Sequence, residues 1–247
     1  MKLLSKYSSP NKLIYFSRII LPWSNFIAVL LFAVGIYLGL FIAPPDYQQG
    51  DTVRIMYIHV PSATMASLVY ALMAISSACY LIWKYPMANI MAKASAPIGA
   101  IFTLIALCTG ALWGQPTWGT WWVWDARLTS VLLMLFLYLG YIGVWHGLDN
   151  TKKASKIASI LAVVGAINLP IIKFSVDWWS TLHQGASILR LDGPSIHPEM
   201  LLPLFIMWGG FVFFFVSTLI LRIENEIYEQ KITNIRIALI HQQEKTG

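Results

Sequence analysis

The chain has 247 residues, 57% of them hydrophobic and only 11% charged, and its mean hydropathy is +0.65. A soluble domain carries about 25% charged residues, so an ordinary soluble fold is excluded. The composition indicates an all-α integral membrane protein built as one domain, residues 1–247. The net charge of +6 sits on residues that flank apolar runs, which gives no reason to expect a nucleic-acid partner.

Residues 1–18 are short and basic, with Lys2, Lys6, Lys12 and Arg18. A first span is expected over residues 19–42, since about 20 apolar residues cross the hydrocarbon layer. It is too long for a signal h-region and lacks an A-x-A-like site, so it is expected to be retained. Ala43-Pro44-Pro45-Asp46 ends it. The apolar run that follows, residues 53–83, exceeds one simple span, and Pro61 divides it. Pro61 either opens a span over residues 61–83 or kinks one longer helix, freeing the carbonyl of Tyr57. Both versions place His59 at the membrane surface.

Further spans are expected over residues 94–112, 128–145, 157–174 and 200–221. Before the last of these, Asp177 is expected to cap a short helix that Gly185 ends, with Trp179 and His183 as i, i+4 neighbours. The charged tail after Leu221 has the pattern of an amphipathic helix. Cys79 and Cys108 fall in apolar runs, as small core residues do. Of the 17 lysines and arginines, 13 lie on the side of the two termini. Arg54, Arg127, Lys173 and Arg190 lie on the other. The positive-inside rule then places both termini in the cytoplasm, so residues 113–127, His59 and His183 face outward.

Residues 113–127, WGQPTWGTWWVWDAR, hold five of the eleven tryptophans. Gly114, Pro116 and Gly119 are expected to break the preceding helix early. The second half is open to two readings, a short helix or an extended segment. As a helix it would align Trp118, Trp122 and Asp125 on one face and Trp121 and Trp124 on the next. Either way it offers a broad aromatic surface beside one acid and one base, suited to a large planar ligand. Neutral imidazole is an axial ligand of haem iron. His59 and His183, outward and on separate segments, are the favoured pair, and haem affinity is expected to fall as pH drops through the ordinary histidine range. His197 is the alternative ligand; His146 and His241 lie on the inner side.

These residues carry a resemblance. WGTWWVWDARLTS resembles the signature of tryptophan-rich haem-handling membrane proteins. With APPDYQQGDTVRIMYIHVPSA, MANIMAKASAPIGAIFTLIALCTG and NLPIIKFSVDWWSTLHQG it is similar to the haem exporter protein C family of bacterial cytochrome c maturation. That resemblance implies six spans, a periplasmic tryptophan-rich segment and two axial histidines matching His59 and His183. It implies non-covalently held haem b, presented at the outer face of the inner membrane to a membrane-anchored periplasmic haem chaperone. It also implies an ABC-type ATPase, a second permease subunit and a small membrane subunit as partners. Trp118, Trp121, Trp122 and Trp124 are then the stacking surface, Arg54 and Arg127 the propionate partners, and Asp125 either holds the surface in shape or touches the chaperone. An alternative role, a transporter subunit moving haem across the bilayer, calls for ionisable groups along a midplane path. The spans contain little of that kind, and no nucleophile–base pair marks the chain as an enzyme.

Overall fold

The computed structural model describes residues 10–246, apart from 184, 186 and 189–192. Its helices are α1 (Pro10–Tyr37, continued by a π-helical turn Leu38–Ile42), α2 (Met56–Trp83, preceded by a 3-10 turn Asp51–Ile55), α3 (Pro86–Trp118), α4 (Ala126–Gly147), α5 (Thr151–Gly165), α6 (Asn168–Trp178) and α7 (Pro198–Thr246). Six stretches are long and apolar enough to cross a membrane: Ile14–Ile42, Asp51–Trp83, Pro86–Trp118, Ala126–Gly147, Thr151–Trp178 and Pro198–Ile240. The chain is a multi-pass all-α membrane protein. Of the basic residues used to orient it, Lys2, Lys6 and Arg190 lie outside the described residues.

The helices exceed their apolar runs because lipid demands an internal partner for every backbone group, and the helix supplies it beyond the hydrocarbon edge as well. Pro61 lies inside α2, so the longer of the two expected arrangements is the one adopted. The antiparallel pair α2–α3 forms the centre. α1 and α7 pack together on one side of it, and α4, α5 and α6 cover the other. Small side chains let the backbones approach: Ala66, Ala92, Ala94, Ala96, Ala158 and Ala162 are fully buried. Tyr138 threads between helices and donates its hydroxyl to the carbonyl of Ala66 at 2.8 Å.

The fifth span is two helices. α5 stops at Gly165 and α6 restarts at Asn168, whose amide donates to the Ser130 carbonyl at 2.8 Å. Pro170 accounts for the break, since it has no N–H to offer the Ala166 carbonyl and its ring crowds that carbonyl. One consequence corrects a sequence expectation. Asp177 does not cap a new helix; it lies in the last turn of α6, which ends at Trp178. Trp179 is extended (φ −134°, ψ 154°), so Trp179 and His183 are not helical neighbours.

Candidate functional site

At one end of the bundle, four aromatic rings from three segments meet. His59 stands in the first turn of α2 and Trp113 near the end of α3; their ring centroids are 5.6 Å apart, edge to face. His183 comes from the irregular segment between α6 and α7, and its ring lies 5.5 Å from that of Trp118 at the end of α3. The two imidazole centroids are 6.3 Å apart and the ring planes are inclined by only 20°.

Local structure explains how each ring is held. The side chain of Asp46 accepts the N–H groups of Gln48 (2.9 Å) and Gln49 (2.8 Å), folding the turn after α1. That turn aims Gln49 at Trp113, whose indole N–H donates to Gln49 Oε1 at 2.7 Å. Trp113 in turn buttresses His59. The Nδ1 of His59 lies 3.1 Å from both the carbonyl oxygen of Ala106 and Thr109 Oγ1. A carbonyl only accepts, and the Thr109 hydroxyl already donates to Ile105 at 2.7 Å, so the hydrogen belongs on Nδ1. Nε2 is then left with its lone pair, the arrangement that metal-bound histidines share. Gly110 leaves room for the ring, since a Cβ there would stand 3.0 Å from His59 Cε1.

His183 is held differently. Its carbonyl accepts from Thr181 Oγ1 at 3.3 Å. Burial, with Arg127 and His59 as neighbours, pushes the imidazole down from its ordinary value to about 4. It is therefore neutral at physiological pH. The pH window expected from an ordinary histidine is thereby displaced downward.

The tryptophan segment departs from its expected form. Neither Gly114 nor Pro116 ends α3, which runs on to Trp118. Gly119 ends it in the left-handed region (φ +77°), where a side chain would be strained. The chain then runs without helix to Asp125, which N-caps α4 by accepting the Leu128 N–H at 2.7 Å. Trp118, Trp122 and Asp125 thus do not share a helical face. Trp122 and Trp124 touch edge to face, centroids 5.5 Å apart. Trp121 is 58% exposed and Trp124 76%, so both present apolar surface outward.

The two arginines are partly committed. Arg54 Nε donates to Asp51 at 2.9 Å and Nη1 to the Gly39 carbonyl at 2.7 Å. Arg127 Nε donates to Ser175 at 2.7 Å and Nη2 reaches the Lys173 carbonyl at 3.5 Å. Each guanidinium has five N–H donors, so both keep several for a carboxylate. His197 is exposed, and its Nδ1 accepts the Glu199 N–H at 3.4 Å at the start of α7. His146 is exposed at the opposite end of the molecule, near the close of α4. The side chain of His241 lies outside the described residues.

The donor set fits a bis-imidazole iron. Metal–imidazole bonds of about 2.0 Å on each side place two ring centroids roughly 6 Å apart. Among the described residues, the Trp122 indole N–H and Asp125 Oδ2 are buried without a hydrogen-bond partner, a state with a free-energy cost unless something else satisfies them. Thr109, Gly110 and Trp113 were missed as individual site residues. Their signal was helical spacing, because 106, 109, 110 and 113 share one face of α3.

Fold and site together define a six-span membrane protein that gathers two neutral imidazoles and a tryptophan-rich surface at one end. Comparison with known sequences gives the family. The profile described as Heme exporter protein C matches residues 3–238. The Heme exporter protein C of Bradyrhizobium diazoefficiens is 46% identical over 230 residues, covering 93% of this chain and 87% of that protein. That of Escherichia coli K12 is 45% identical over 226 residues, covering 92% and 91%. A putative cytochrome c biosynthesis ccmC-like mitochondrial protein of Marchantia polymorpha is 51% identical over 183 residues, covering 74% and 77%. The chain belongs to the haem exporter protein C family.

Proposed function

We propose that the chain holds haem b, non-covalently, at the periplasmic face of the bacterial inner membrane, and presents it to a membrane-anchored haem chaperone for c-type cytochrome assembly. Both termini are cytoplasmic in this reading. The single observation that carries it is the close pair His59 and His183, their ring centroids 6.3 Å apart, with the Nδ1 of His59 bonded to Ala106 and Thr109 so that Nε2 keeps its lone pair. Haem supplies an iron that accepts one nitrogen from each imidazole, and a planar apolar ring that tryptophan faces cover. The protein's part is binding and orientation. Trp113 and Trp118 buttress the two histidines, Trp121, Trp122 and Trp124 extend the apolar surface, and Arg54 and Arg127 meet the propionates. Asp125 fixes the geometry by capping α4.

Presentation at one face accords better with the residues than passage across the bilayer. Among the described residues, Asp125, at the pocket end, is the only acidic or basic residue that is buried, and a midplane path for a charged cargo calls for such groups. The energy source lies in partners: an ABC-type ATPase, a second permease subunit and a small membrane subunit. The test is reconstitution with the chaperone. Haem-loaded protein in nanodiscs should transfer haem to the added apo-chaperone, and His59→Ala and His183→Ala should each abolish the transfer while still inserting. Undiminished transfer by both variants would overturn the reading.

A further inference from the structure

The end of α1 gives Arg54 a fixed place. In the π-helical turn Leu38–Ile42 the Ala43 N–H donates back five residues, to the Leu38 carbonyl, at 2.8 Å. The Gly39 carbonyl would take its bond from the next residue, but that is Pro44, which has no N–H. Arg54 fills the place. Its Nη1 donates to Gly39 at 2.7 Å while its Nε donates to Asp51 at 2.9 Å. Three of the five guanidinium N–H groups remain.

A small cavity lies beside it. Its volume is about 40 Å³, and Gly35, Gly39, Arg54, Tyr57 and Met207 help to line it. Two glycines one turn apart shape it. A Cβ at Gly39 would lie 2.7 Å from Tyr57 Cδ2, and one at Gly35 2.7 Å from Met207 Sδ. Glycine therefore lets α2 and α7 bring these side chains close to α1. Tyr57 is only 3% exposed, and its hydroxyl has no hydrogen-bond partner among the described residues. Burying such a group bare costs free energy. Tyr57 and His59 are two residues apart on α2 and project from opposite sides of it, so the cavity is separate from the imidazole pair. Its mouth is apolar: Ile36, Leu40 and Ile58 line it and are exposed on the surface of α1 and α2.

We infer that Arg54 and Tyr57 hold the phosphate of an outer-leaflet phospholipid, with one acyl chain laid along Ile36, Leu40 and Ile58. The inference rests on the membrane placement proposed above, but not on haem binding. The donors select an oxyanion: a planar cationic fork beside a hydroxyl free to donate. A cavity of this size admits the oxygens of one such group and no ring system. The apolar mouth selects an amphiphile over a free anion, since only a molecule with a tail gains by covering those three side chains. A phosphodiester engages two of the three remaining N–H groups of Arg54 and leaves one for the propionate proposed above.

The test uses the full chain purified in maltoside and native mass spectrometry, with phosphatidylglycerol and a diacylglycerol of the same acyl chains as probes. Phosphatidylglycerol should be retained about tenfold more strongly, as the loss of a charge-assisted hydrogen bond implies. Tyr57→Phe removes the hydroxyl and keeps the ring. It should weaken phosphatidylglycerol retention roughly three- to tenfold, with the haem spectrum of the unaltered protein showing that the fold is intact. Arg54→Gln should weaken it further, and Ile36→Ser combined with Leu40→Ser should weaken it by removing the seat of the acyl chain. Excess inorganic phosphate should not displace the lipid. Equal retention of the two lipids, or retention untouched by Tyr57→Phe, would overturn the inference. So would two other outcomes: displacement by inorganic phosphate, which would make the ligand a free anion, or loss of haem rather than lipid in Tyr57→Phe, which would give the hydroxyl to a propionate. Lipid retention unchanged in His59→Ala and His183→Ala, whatever their haem transfer, separates this inference from the haem reading.

Discussion

His59 and His183 sit 6.3 Å apart, yet they are built in opposite ways. His59 is set in the first turn of a central helix, with a fixed tautomer, a tryptophan against one edge and α3 behind it. His183 comes from the irregular segment between α6 and α7, and its ring lies against those of Trp118 and His59. A site that must both hold and release a cargo needs one rigid and one yielding side. Irregular segments with few buried contacts are where local opening costs least. Under the proposed haem reading, the comparison assigns retention to α2 and release to the segment between α6 and α7.

The largest effects should come from the imidazoles themselves. His59→Ala and His183→Ala each remove an iron bond, and each should weaken haem retention by more than the roughly 10–100-fold that loss of an outer hydrogen bond costs. Dialysis of haem-loaded protein measures this. Added imidazole should restore a six-coordinate spectrum in both, more readily for His183→Ala because its side of the pocket opens. Equal, immediate rescue of both would erase the contrast. Trp113→Ala should follow, because it removes the ring against His59 and frees Gln49. Trp124→Ala, at a position 76% exposed, should leave retention nearly unchanged. If the two tryptophan variants lose haem equally, the segment acts as an undivided surface.

Much of this was legible in the sequence, and the reasons are physical. Six spans were legible because lipid imposes a length and an apolar composition that no other segment shares. The tryptophan segment stood out by density alone, whereas the N-cap role of Asp125 came only from the structure. The form of that segment was not legible: Pro116 reads as a breaker, yet α3 absorbs it near its end, where few hydrogen bonds remain to lose. The His183 segment misled for a similar reason. Asp177 resembles a cap, but the Pro170 break had already restarted the helix at Asn168, and Phe174 stacked on Trp178 (5.4 Å) carries it past Asp177. The bond from His59 to Ala106 and Thr109 was beyond reach, since it depends on the register between α2 and α3, and nothing local fixes that register.

That register supplies smaller, sharper predictions. Gly110→Ala brings a Cβ to 3.0 Å from His59 Cε1 and should tilt the ring, weakening retention toward the upper part of the roughly 10–100-fold range. Thr109→Val keeps the shape but removes one acceptor, leaving the Ala106 carbonyl, and should lie at the lower end, about tenfold. Thr181→Val, the corresponding change on the yielding side, should have no measurable effect on retention. Isothermal titration with haem in nanodiscs ranks all three.

A pH titration without haem tests the yielding side alone. The folded value of His183 is about 4, below the unperturbed value of about 6.5. Between those values the undocked segment binds a proton that the docked segment does not. Docking is therefore unaffected above about pH 6.5, is disfavoured progressively as pH falls below it, and reaches its full loss near pH 4. Hydrogen exchange at residues 179–183 should rise over that window. No change over that window would show that His183 is not buried in solution, since an imidazole with the same value docked and undocked leaves docking independent of pH.

The central claim is that both imidazoles bind one iron, and nitrogen couplings to ferric haem test it most directly. The protein, labelled with ¹⁵N only in histidine, is loaded with haem and examined by electron–nuclear double resonance. Two strongly coupled histidine nitrogens are expected in the unaltered chain, and one in either His59→Ala or His183→Ala. Two coupled nitrogens persisting in either variant, or a single one in the unaltered chain, would contradict the account.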